Sequence, residues 1–345
     1  MKAIVQDQYG SEDVLRLQDI ERPAIGDGDV LVRIRAASIH VGDRLLMEGR
    51  PLLVRMAAGL RRPKHAIPGT DIAGTVEAVG GAVTRFKAGD DVFGWTSGAF
   101  AEFASAPEDH LAAKPARLSF EEAAALGVSA TTALQLLRDD GKVTAGQKVL
   151  INGASGGVGT YAVQIAKAFG AEVTGVTSTR NLDMVRSIGA DHVIDYTRED
   201  FTEGAERYDF ILDNVANHSL GATRRALSPT GTLLPNGGGH TGGGTGRIIL
   251  ATIASMFVRG QGGPSVKFEN RADLAALVEL VDAGKIRPVI DGTYPLAETA
   301  AALRRVGTGH ARGTVVITVA MSAPAMVPEA GSSTAAAPLT AGGAA

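Results

Sequence analysis

The sequence contains no cysteine among its 345 residues. This absence excludes disulfides, thiolate zinc sites, iron–sulfur clusters and cysteine nucleophiles. The net charge is −3, and without a basic excess the chain is a poor match for nucleic acid as a partner. The first residues, MKAIVQDQYG, lack a basic region followed by an apolar one, and no stretch approaches about 18 uninterrupted apolar residues. We therefore expect a cytoplasmic protein without a membrane span.

Glycine and apolar residues are abundant instead. Hydrophobic residues make up 45% of the chain and charged residues 21%, which permits a well-filled core and excludes global disorder. The length predicts two domains of ordinary size. The 44 glycines are too many for a helical bundle. Seven of them fall in the run 236–246, which predicts either a flexible lid beside a cleft or a simple connector.

The hydrophobic pattern changes along the chain. The first hundred residues predict short strands joined by turns, with strands over 2–6, 29–36, 71–79 and 91–94. From residue 148, apolar strands alternate with helical segments, which is typical of a parallel sheet covered by helices on both faces. The strands of this part are expected at 149–152, 172–176, 192–195, 209–213 and 231–234. The helices between them are expected at 157–169, 181–188 and 218–227.

The C-terminal part returns to a β-rich pattern after a helix over Asp273–Ala283, with β segments near 288–290 and over 314–319. We predict that this piece completes the N-terminal barrel, so that the parallel-sheet domain is an insertion within it. The expected division is a barrel domain from 1–118 and 275–320 and a dinucleotide-binding domain from 119–274. The segment 321–345 is rich in alanine, proline, serine and glycine and is expected to be a disordered tail.

A glycine-rich turn follows the first strand of the parallel sheet, where VLIN leads into GASGGVG and then into an apolar helix. This strand–turn–helix context is the one that a dinucleotide fingerprint requires. In the motif A-x-G-x-x-G, Ala154 permits the tight turn, Gly156 lets the backbone approach a pyrophosphate, and Gly159 lets the helix press against the strand. The helix N-terminus adds free N–H groups and a positive dipole end. The predicted cofactor contacts in this turn are Ala154, Ser155, Gly156, Gly157, Val158 and Gly159. A glycine-rich connection of purely structural use is the alternative.

The end of the second parallel strand indicates which dinucleotide binds. An NAD site carries an acidic residue there, which accepts a hydrogen bond from the ribose 2′-hydroxyl. Here the strand leads into Ser178, Thr179 and Arg180, whose hydroxyls and guanidinium suit a 2′-phosphate. We therefore predict NADPH as the cofactor. A solvated surface position is the other interpretation of Arg180. Tyr196, after the next strand, either flanks the cofactor or packs as an ordinary tyrosine.

Four stretches, in this order, resemble the medium-chain dehydrogenase/reductase superfamily: PGTDIAGTVEAVG (68–80), AGDDVFG (88–94), NGASGGVGTYAVQIAK (152–167) and IGADHVIDYTREDF (188–201). The resemblance implies an α/β protein with a GroES-like β-barrel catalytic domain and a Rossmann domain built on a doubly wound parallel sheet. Within the superfamily, the chain is most similar to the zinc-free quinone oxidoreductase branch of zeta-crystallin-like and reticulon-interacting-protein-like chains. A homodimer is implied as well, because Rossmann sheets of this superfamily often pair edge to edge.

Zinc-dependent members of the superfamily hold their catalytic metal at three positions. These correspond here to His40, to the pair Thr70–Asp71 and to a residue near Val128. One histidine and one aspartate are a poor set of zinc ligands, and the structural four-cysteine lobe of those members is missing. We therefore expect no metal.

The resemblance also implies which residues lie near the cofactor. Thr132 matches a threonine beside the nicotinamide, although a helix-interior threonine bonded to its own backbone is the alternative. Asn214 and Val215 follow a parallel strand, at the sheet edge where ligands of doubly wound sheets bind. Gly237 belongs to a segment expected at the nicotinamide half, and Arg312 lies where related chains contact the cofactor from a C-terminal strand.

His40 falls at the position nearest to the reacting centre, where close relatives carry asparagine. With an ordinary pKa of about 6.5, a histidine there can hydrogen-bond a substrate carbonyl or donate a proton. A hydrogen-bonded structural histidine is the other interpretation. Asp43 is expected to cap the helix that follows. Candidate pocket walls, each of which could equally pack in a core or lie exposed, are Arg44, Met47, Trp95, Met256 and Phe257.

These features together predict a zinc-independent, NADPH-dependent oxidoreductase with a small-molecule substrate. The hydride is expected to pass to a conjugated carbonyl acceptor, either a quinone or the β-carbon of an enone. Two alternatives stay open. One is a zinc-free alcohol dehydrogenase or enoyl reductase, and the other is a non-catalytic NADPH-binding sensor or scaffold.

Overall fold

A computed structural model of the chain describes residues 1–52, 54–237, 262 and 269–320. A small antiparallel pair, β1 (Lys2–Val5) and β2 (Arg16–Asp19), precedes the larger sheets. The first large sheet begins with β3 (Asp29–Ile39), in which buried residues alternate with more exposed ones as far as Arg35, whereas residues 36–39 are all buried. Two helices follow it, α1 (Val41–Glu48) and α2 (Val54–Ala58). The next four strands are β4 (Asp71–Val79), β5 (Asp91–Trp95), β6 (Phe103–Pro107) and β7 (Leu111–Ala113).

The longest helix, α3 (Phe120–Gln135), begins after an N-cap at Ser119. The Ser119 hydroxyl accepts from the Glu122 N–H, and the Glu122 carboxylate accepts from the Ser119 N–H. This reciprocal pair satisfies two backbone donors that the helix end would leave free. One face of α3 packs on β3, β4 and β14, and another packs on α4. The helix therefore lies between the two large sheets.

The second large sheet holds five strands of the described chain, all parallel. Its elements are β8 (Lys148–Asn152), α4 (Gly157–Ala168), β9 (Glu172–Thr177), α5 (Leu182–Ser187), β10 (His192–Asp195), β11 (Tyr208–Asp213), α6 (Leu220–Arg225) and β12 (Leu227–Pro235). The strand order is β10-β9-β8-β11-β12, so the winding reverses between β8 and β11. In a doubly wound sheet, the crevice at the carboxyl ends of such neighbours is where ligands bind.

The C-terminal elements return to the first sheet, as the sequence predicts. They are α7 (Arg271–Asp282), β13 (Ile290–Pro295), α8 (Thr299–Gly307) and β14 (Thr314–Thr318). β14 pairs antiparallel with β3, and β13 pairs with β14. The predicted combination of a barrel-type sheet with a doubly wound parallel sheet is therefore confirmed. The exact domain boundaries stay a prediction.

Some elements differ from the sequence-based expectation. The β segment expected near 288–290 is replaced by β13, which begins at Ile290. The short strands β2, β6 and β7 and the helix α2 were not expected, because each has too few residues to show a period. Residues 238–246 of the glycine-rich run and the tail 321–345 lie outside the described residues. Among the described helices, none has the length and apolar character needed to cross a membrane.

Candidate active site

The glycine-rich turn joins β8 to α4 at the crevice between β8 and β11. Gly153 has a φ of 81°, which favours glycine. A Cβ on Gly159 would lie 2.1 Å from the Gly153 carbonyl oxygen, so only glycine allows α4 to approach the turn this closely. A Cβ on Gly156 would have no neighbour nearer than the same oxygen at 3.6 Å, so the space beside Gly156 is open. The turn thus combines a tight approach of helix to strand with an accessible backbone, which fits a dinucleotide pyrophosphate.

Neighbouring segments hold this turn in place. The Ser155 hydroxyl accepts from the Thr177 hydroxyl at 2.8 Å and from the Asn181 side-chain amide at 3.1 Å. The Ser155 carbonyl accepts from the Gly313 N–H at 2.8 Å. Ser155 therefore ties the turn to β9 and to the segment before β14. Gly157 lies near Ser129 of α3, because a Cβ there would be 3.1 Å from the Ser129 hydroxyl.

The C-terminal contact brings Arg312 beside the turn. Arg312 is exposed, and it directly precedes Gly313, whose backbone bridges to Gly156. Its own N–H donates to Asp291 at 2.7 Å, which fixes the backbone while the guanidinium extends outward. The next residue, Thr314, has a buried hydroxyl without a hydrogen-bond partner. An exposed guanidinium beside the turn matches the needs of an anionic cofactor.

The end of β9 carries the residues predicted to bind a 2′-phosphate. Arg180 is exposed and donates to the His310 carbonyl at 2.9 Å. The Thr179 hydroxyl donates to Asp195 at 2.6 Å. Tyr196 is 50% exposed and lies next to Asp195 at the end of the neighbouring strand β10. These residues share one corner of the sheet.

Asp195 is a carboxylate that the sequence analysis did not place at this corner. It is buried, and it also accepts from the N–H and hydroxyl of Thr197. The Thr179 hydrogen bond is the largest of several influences that hold the pKa of Asp195 below its ordinary value. The Thr179 hydroxyl already donates its proton to Asp195, so it cannot also donate to a bound phosphate. The donors left for a phosphate at this corner are Ser178 and Arg180. The sequence shows that residue 195 ends a predicted strand, but its place beside Thr179 follows only from the pairing of β10 with β9.

Asn214 and Val215 lie at the carboxyl end of β11, next to the end of its neighbour β8, as the sequence predicts. The Asn214 side chain donates to the Asn152 carbonyl at 3.2 Å, and a Cβ on Gly153 would lie 2.8 Å from Val215. Gly237 also closes on this edge, because a Cβ there would lie 2.2 Å from the Asn214 carbonyl oxygen. Three of the predicted nicotinamide-side residues are therefore next to the phosphate-binding turn.

His40 precedes α1 and takes the N-cap position that the sequence analysis gave to Asp43. The helix begins at Val41, so Asp43 is its third residue, and its carboxylate accepts from the His40 N–H at 2.9 Å. The expectation that Asp43 is the N-cap is therefore wrong, although its carboxylate does bind the cap backbone. His40 Nε2 lies 2.8 Å from the Thr70 hydroxyl and 3.4 Å from the Asp43 carboxylate.

The surroundings of His40 favour its charged form. Burial alone lowers the pKa of His40, but the carboxylates of Asp43, Asp71 and Glu269 together raise it above the ordinary value of 6.5. Burial raises the pKa of Asp43, and the charge of His40 opposes that effect. One oxygen of Asp43 is buried without a hydrogen-bond partner. The site therefore holds an imidazole that keeps its proton to higher pH than a free histidine.

Asp71 lies beside this group and connects the barrel to α3. Its carboxylate accepts from the Ser38 hydroxyl at 2.8 Å and from the Val128 N–H at 3.1 Å through each oxygen. The N–H of Val128 is free because α3 is kinked at Gly127, whose φ of −10° and ψ of −132° are not helical. A Cβ on Gly127 would lie 2.1 Å from the Asp71 carboxyl carbon. Burial raises the pKa of Asp71 to about 7.

The three positions that hold zinc in other superfamily members thus converge. His40 is bonded to Thr70, and Asp71 is bonded to the backbone of Val128. No group of metal-ligating side chains large enough to hold an ion occurs among the residues that the structure describes. Thr132, predicted at the nicotinamide, is half-buried on α3 after the kink, whereas its neighbour Thr131 is buried with an unpartnered hydroxyl.

The candidate pocket walls separate into different environments. Met47 is buried in the barrel core, whereas Arg44 is half-buried and forms an ion pair with Glu48 at 2.8 Å. Trp95 is half-buried and stacks on His110, with ring centroids 4.5 Å apart. The remaining two candidates, Met256 and Phe257, lie outside the described residues.

Comparisons with known proteins agree with this geometry. Residues 26–116 match the family described as the alcohol dehydrogenase GroES-like domain, and residues 188–317 match the family described as zinc-binding dehydrogenase. The chloroplastic quinone-oxidoreductase homolog of Spinacia oleracea is 34% identical over 92% of this chain and 98% of its own length. The chloroplastic NADPH-dependent alkenal/one oxidoreductase of Arabidopsis thaliana is 32% identical over 92% of this chain and 79% of its own.

A solved structure gives the same result. The quinone oxidoreductase from Coxiella burnetii has a TM-score of 0.81 and 30% identity, and the match covers 93% of this chain and 99% of that one. Three observations agree: the parallel sheet with its glycine-rich turn, the absence of a zinc ligand set at the described positions His40, Asp71 and Val128, and relatives that match over most of their length. The chain belongs to the quinone oxidoreductase branch of the medium-chain dehydrogenase/reductase superfamily.

Proposed function

We propose that this protein is a zinc-independent, NADPH-dependent oxidoreductase that reduces quinones or α,β-unsaturated carbonyl compounds. The observation that carries the proposal concerns the positions that hold zinc in other members of the superfamily. Here His40 is hydrogen-bonded to Thr70, and the Asp71 carboxylate accepts from the N–H of Val128. This arrangement offers an imidazole acid but leaves at most one strong zinc ligand. The names of the relatives from spinach and Arabidopsis support the acceptor class.

The proposed cofactor site follows the crevice from the turn to the corner at the end of β9. The pyrophosphate is held by the turn at Gly156 and by Arg312, and the 2′-phosphate by Ser178 and Arg180. When bound, the reduced nicotinamide supplies the hydride. The residues of the chain orient the two reactants. This orientation matters because a misplacement of about 1 Å can lower the rate of transfer about a hundredfold.

The proposed proton donor is His40. Reduction of a quinone or enone places negative charge on the carbonyl oxygen as the hydride arrives on carbon, and one proton must then neutralise that oxygen. His40 is held by Thr70 and kept charged by Asp43, so it can release this proton and recover one from solvent after the product leaves. Thr132 is proposed to line the nicotinamide side of the pocket.

Calorimetry with NADPH and NADH tests the cofactor assignment. The wild-type protein should bind NADPH more tightly than NADH. Arg180→Ala should weaken NADPH binding by roughly ten- to a hundredfold while leaving NADH almost unchanged, because a charged hydrogen bond to phosphate contributes about 1.5–3 kcal/mol. Arg198→Ala is a matched control, since Arg198 is an exposed arginine on the same corner. Equal affinity of the wild type for both dinucleotides would contradict the assignment.

A substrate panel tests the reaction. Loss of NADPH absorbance is expected with 1,4-quinones or with enones, and a metal chelator is expected to leave the rate unchanged. Turnover of simple alcohols, or a rate lost to the chelator, would instead indicate an alcohol dehydrogenase. Tight NADPH binding without turnover of any acceptor would indicate a non-catalytic sensor. We further propose a cytoplasmic homodimer, which cell fractionation and analytical ultracentrifugation can test.

A further inference from the structure

Exposed apolar side chains are concentrated just after His40. Within the part of the chain that the structure describes, six of the eight exposed large hydrophobic residues lie between positions 41 and 60. They are Val41, Leu45, Leu46, Leu52, Met56 and Leu60. The last three are 72%, 73% and 73% exposed. Single exposed apolar residues are ordinary, but a concentration of them marks an interaction surface.

The second half of this segment and the residues that follow it are strongly basic. Residues 49–70 contain five arginines and lysines and no aspartate or glutamate, although the chain as a whole carries a net charge of −3. The cations are Arg50, Arg55, Arg61, Arg62 and Lys64. All but Arg55 are exposed, and none of the exposed four has an ion-pair partner among the described residues. We call residues 41–64, with these apolar and basic side chains, the 41–64 surface.

Contacts with the rest of the protein keep the apolar side chains of the 41–64 surface exposed. Met56 lies in α2, and Leu52 and Leu60 lie on either side of this short helix; the side chains of all three are exposed. The Tyr9 hydroxyl donates to the Gly59 carbonyl at 2.5 Å, and the Arg55 guanidinium stacks over the Tyr9 ring at 4.5 Å. These contacts anchor the inner side of the segment to the body of the protein. Its apolar side chains therefore face outward.

We propose that the 41–64 surface docks the protein on an anionic lipid bilayer. Apolar side chains next to cations suit the boundary between acyl chains and anionic headgroups, because both kinds of contact are satisfied at once. A carboxylate-bearing protein would match the four exposed cations but would leave three highly exposed apolar side chains to find a separate groove. Because α1 begins directly after His40, docking places the crevice next to the bilayer, from which a lipophilic quinone can enter. The entry of a quinone from the bilayer rests on the proposed function, whereas the docking itself does not.

Vesicle sedimentation of the full chain tests the docking. The wild type should partition onto vesicles of phosphatidylcholine mixed with phosphatidylglycerol, should bind vesicles of phosphatidylcholine alone much more weakly, and should be released by salt. Arg61→Ala with Arg62→Ala should weaken partitioning roughly fivefold for each cation removed. Met56→Ser with Leu60→Ser should weaken it as well, without changing the salt dependence.

The matched control is Arg16→Ala with Leu17→Ser, which removes an exposed arginine and an exposed leucine from β2 and should leave partitioning unchanged. Turnover of a short, water-soluble quinone without vesicles checks each variant for folding and tests the proposed function separately. Equal partitioning of the control and the 41–64 variants would overturn the proposal, as would absence of binding to anionic vesicles. A dimer that dissociates in the Met56 and Leu60 variant would show that a second copy covers this surface instead.

Discussion

Both His40 and Asp71 have a pKa above the ordinary value, but their surroundings give them different tasks. His40 contacts the Thr70 hydroxyl, and three carboxylates outweigh the effect of burial and raise its pKa. Asp71 is buried, and every donor that reaches it comes from the protein interior or backbone. His40, the more exposed of the two, is therefore suited to moving a proton. The enclosed group is suited to holding the barrel and α3 together.

Replacement of His40 tests its role as the acid. We expect His40→Asn to lower kcat about a hundredfold while leaving the Kd of NADPH unchanged, because positioned proton transfer contributes about 10²–10⁴ in rate. The wild-type rate should fall as the pH rises through the pKa of His40, which lies above 6.5. This limb of the pH profile should vanish in the variant. Thr70→Ser keeps the hydroxyl partner and serves as the control, with a rate near that of the wild type.

Asp71 should make stability depend on pH. Its folded pKa of about 7 lies above the ordinary value of 3.8, so the folded state binds more protons between these two values. The contribution of Asp71 to stability is therefore fully present below 3.8 and is lost as the pH rises towards 7. Relative to Asp71→Asn, the free energy of unfolding of the wild type should fall with a slope of up to about 1.4 kcal/mol per pH unit. Urea titrations at several pH values measure this difference, and parallel curves for the two proteins would contradict it.

At the scale of elements, the sequence predicted local features better than contacts between elements. The turn between β8 and α4 was found because strand, glycines and helix are consecutive. The bond from Asp71 to Val128 was missed, because the alanine-rich run after Ser119 gives no sign of the kink at Gly127. The position of Asp195 beside Thr179 was missed because it depends on how β10 pairs with β9. Which strands pair depends on residues far apart in the sequence, so the pattern within one strand does not reveal it.

Two glycines of the turn should respond differently to alanine. Gly159→Ala places a Cβ 2.1 Å from a backbone oxygen and should destabilise the fold by about 1–3 kcal/mol. Gly156→Ala has room in the protein and should unfold like the wild type, yet it should bind NADPH at least tenfold more weakly because the Cβ fills the approach to the pyrophosphate. Thermal unfolding and calorimetry separate the two effects. Normal NADPH binding by Gly156→Ala would place the cofactor elsewhere.

For the whole molecule, the division into two sheets was predictable because strand-only and alternating patterns leave different periodicities in the sequence. The return of the chain to the barrel was also predicted, although β13 lies later than expected. The number of small strands in the barrel was not, since three- to five-residue strands carry little pattern. What decides their pairing is closure of the sheet around a shared core, in which β3 is paired by β4, β6 and β14.

The folded body should be complete without the C-terminal tail. β14 ends at Thr318, and the Val319 N–H donates to the Arg35 carbonyl at 3.0 Å, while the Val319 side chain is buried in the barrel core. A chain that ends at residue 320 keeps these contacts, so its Tm and its kcat/KM should match those of the full chain, with Tm within about 1 °C. A chain that ends at residue 312 loses β14 and the Gly313 contact to Ser155, and it should fail to fold or to bind NADPH. If the chain ending at 320 lost several degrees in Tm, residues 321–345 would have a structural role that their composition does not indicate.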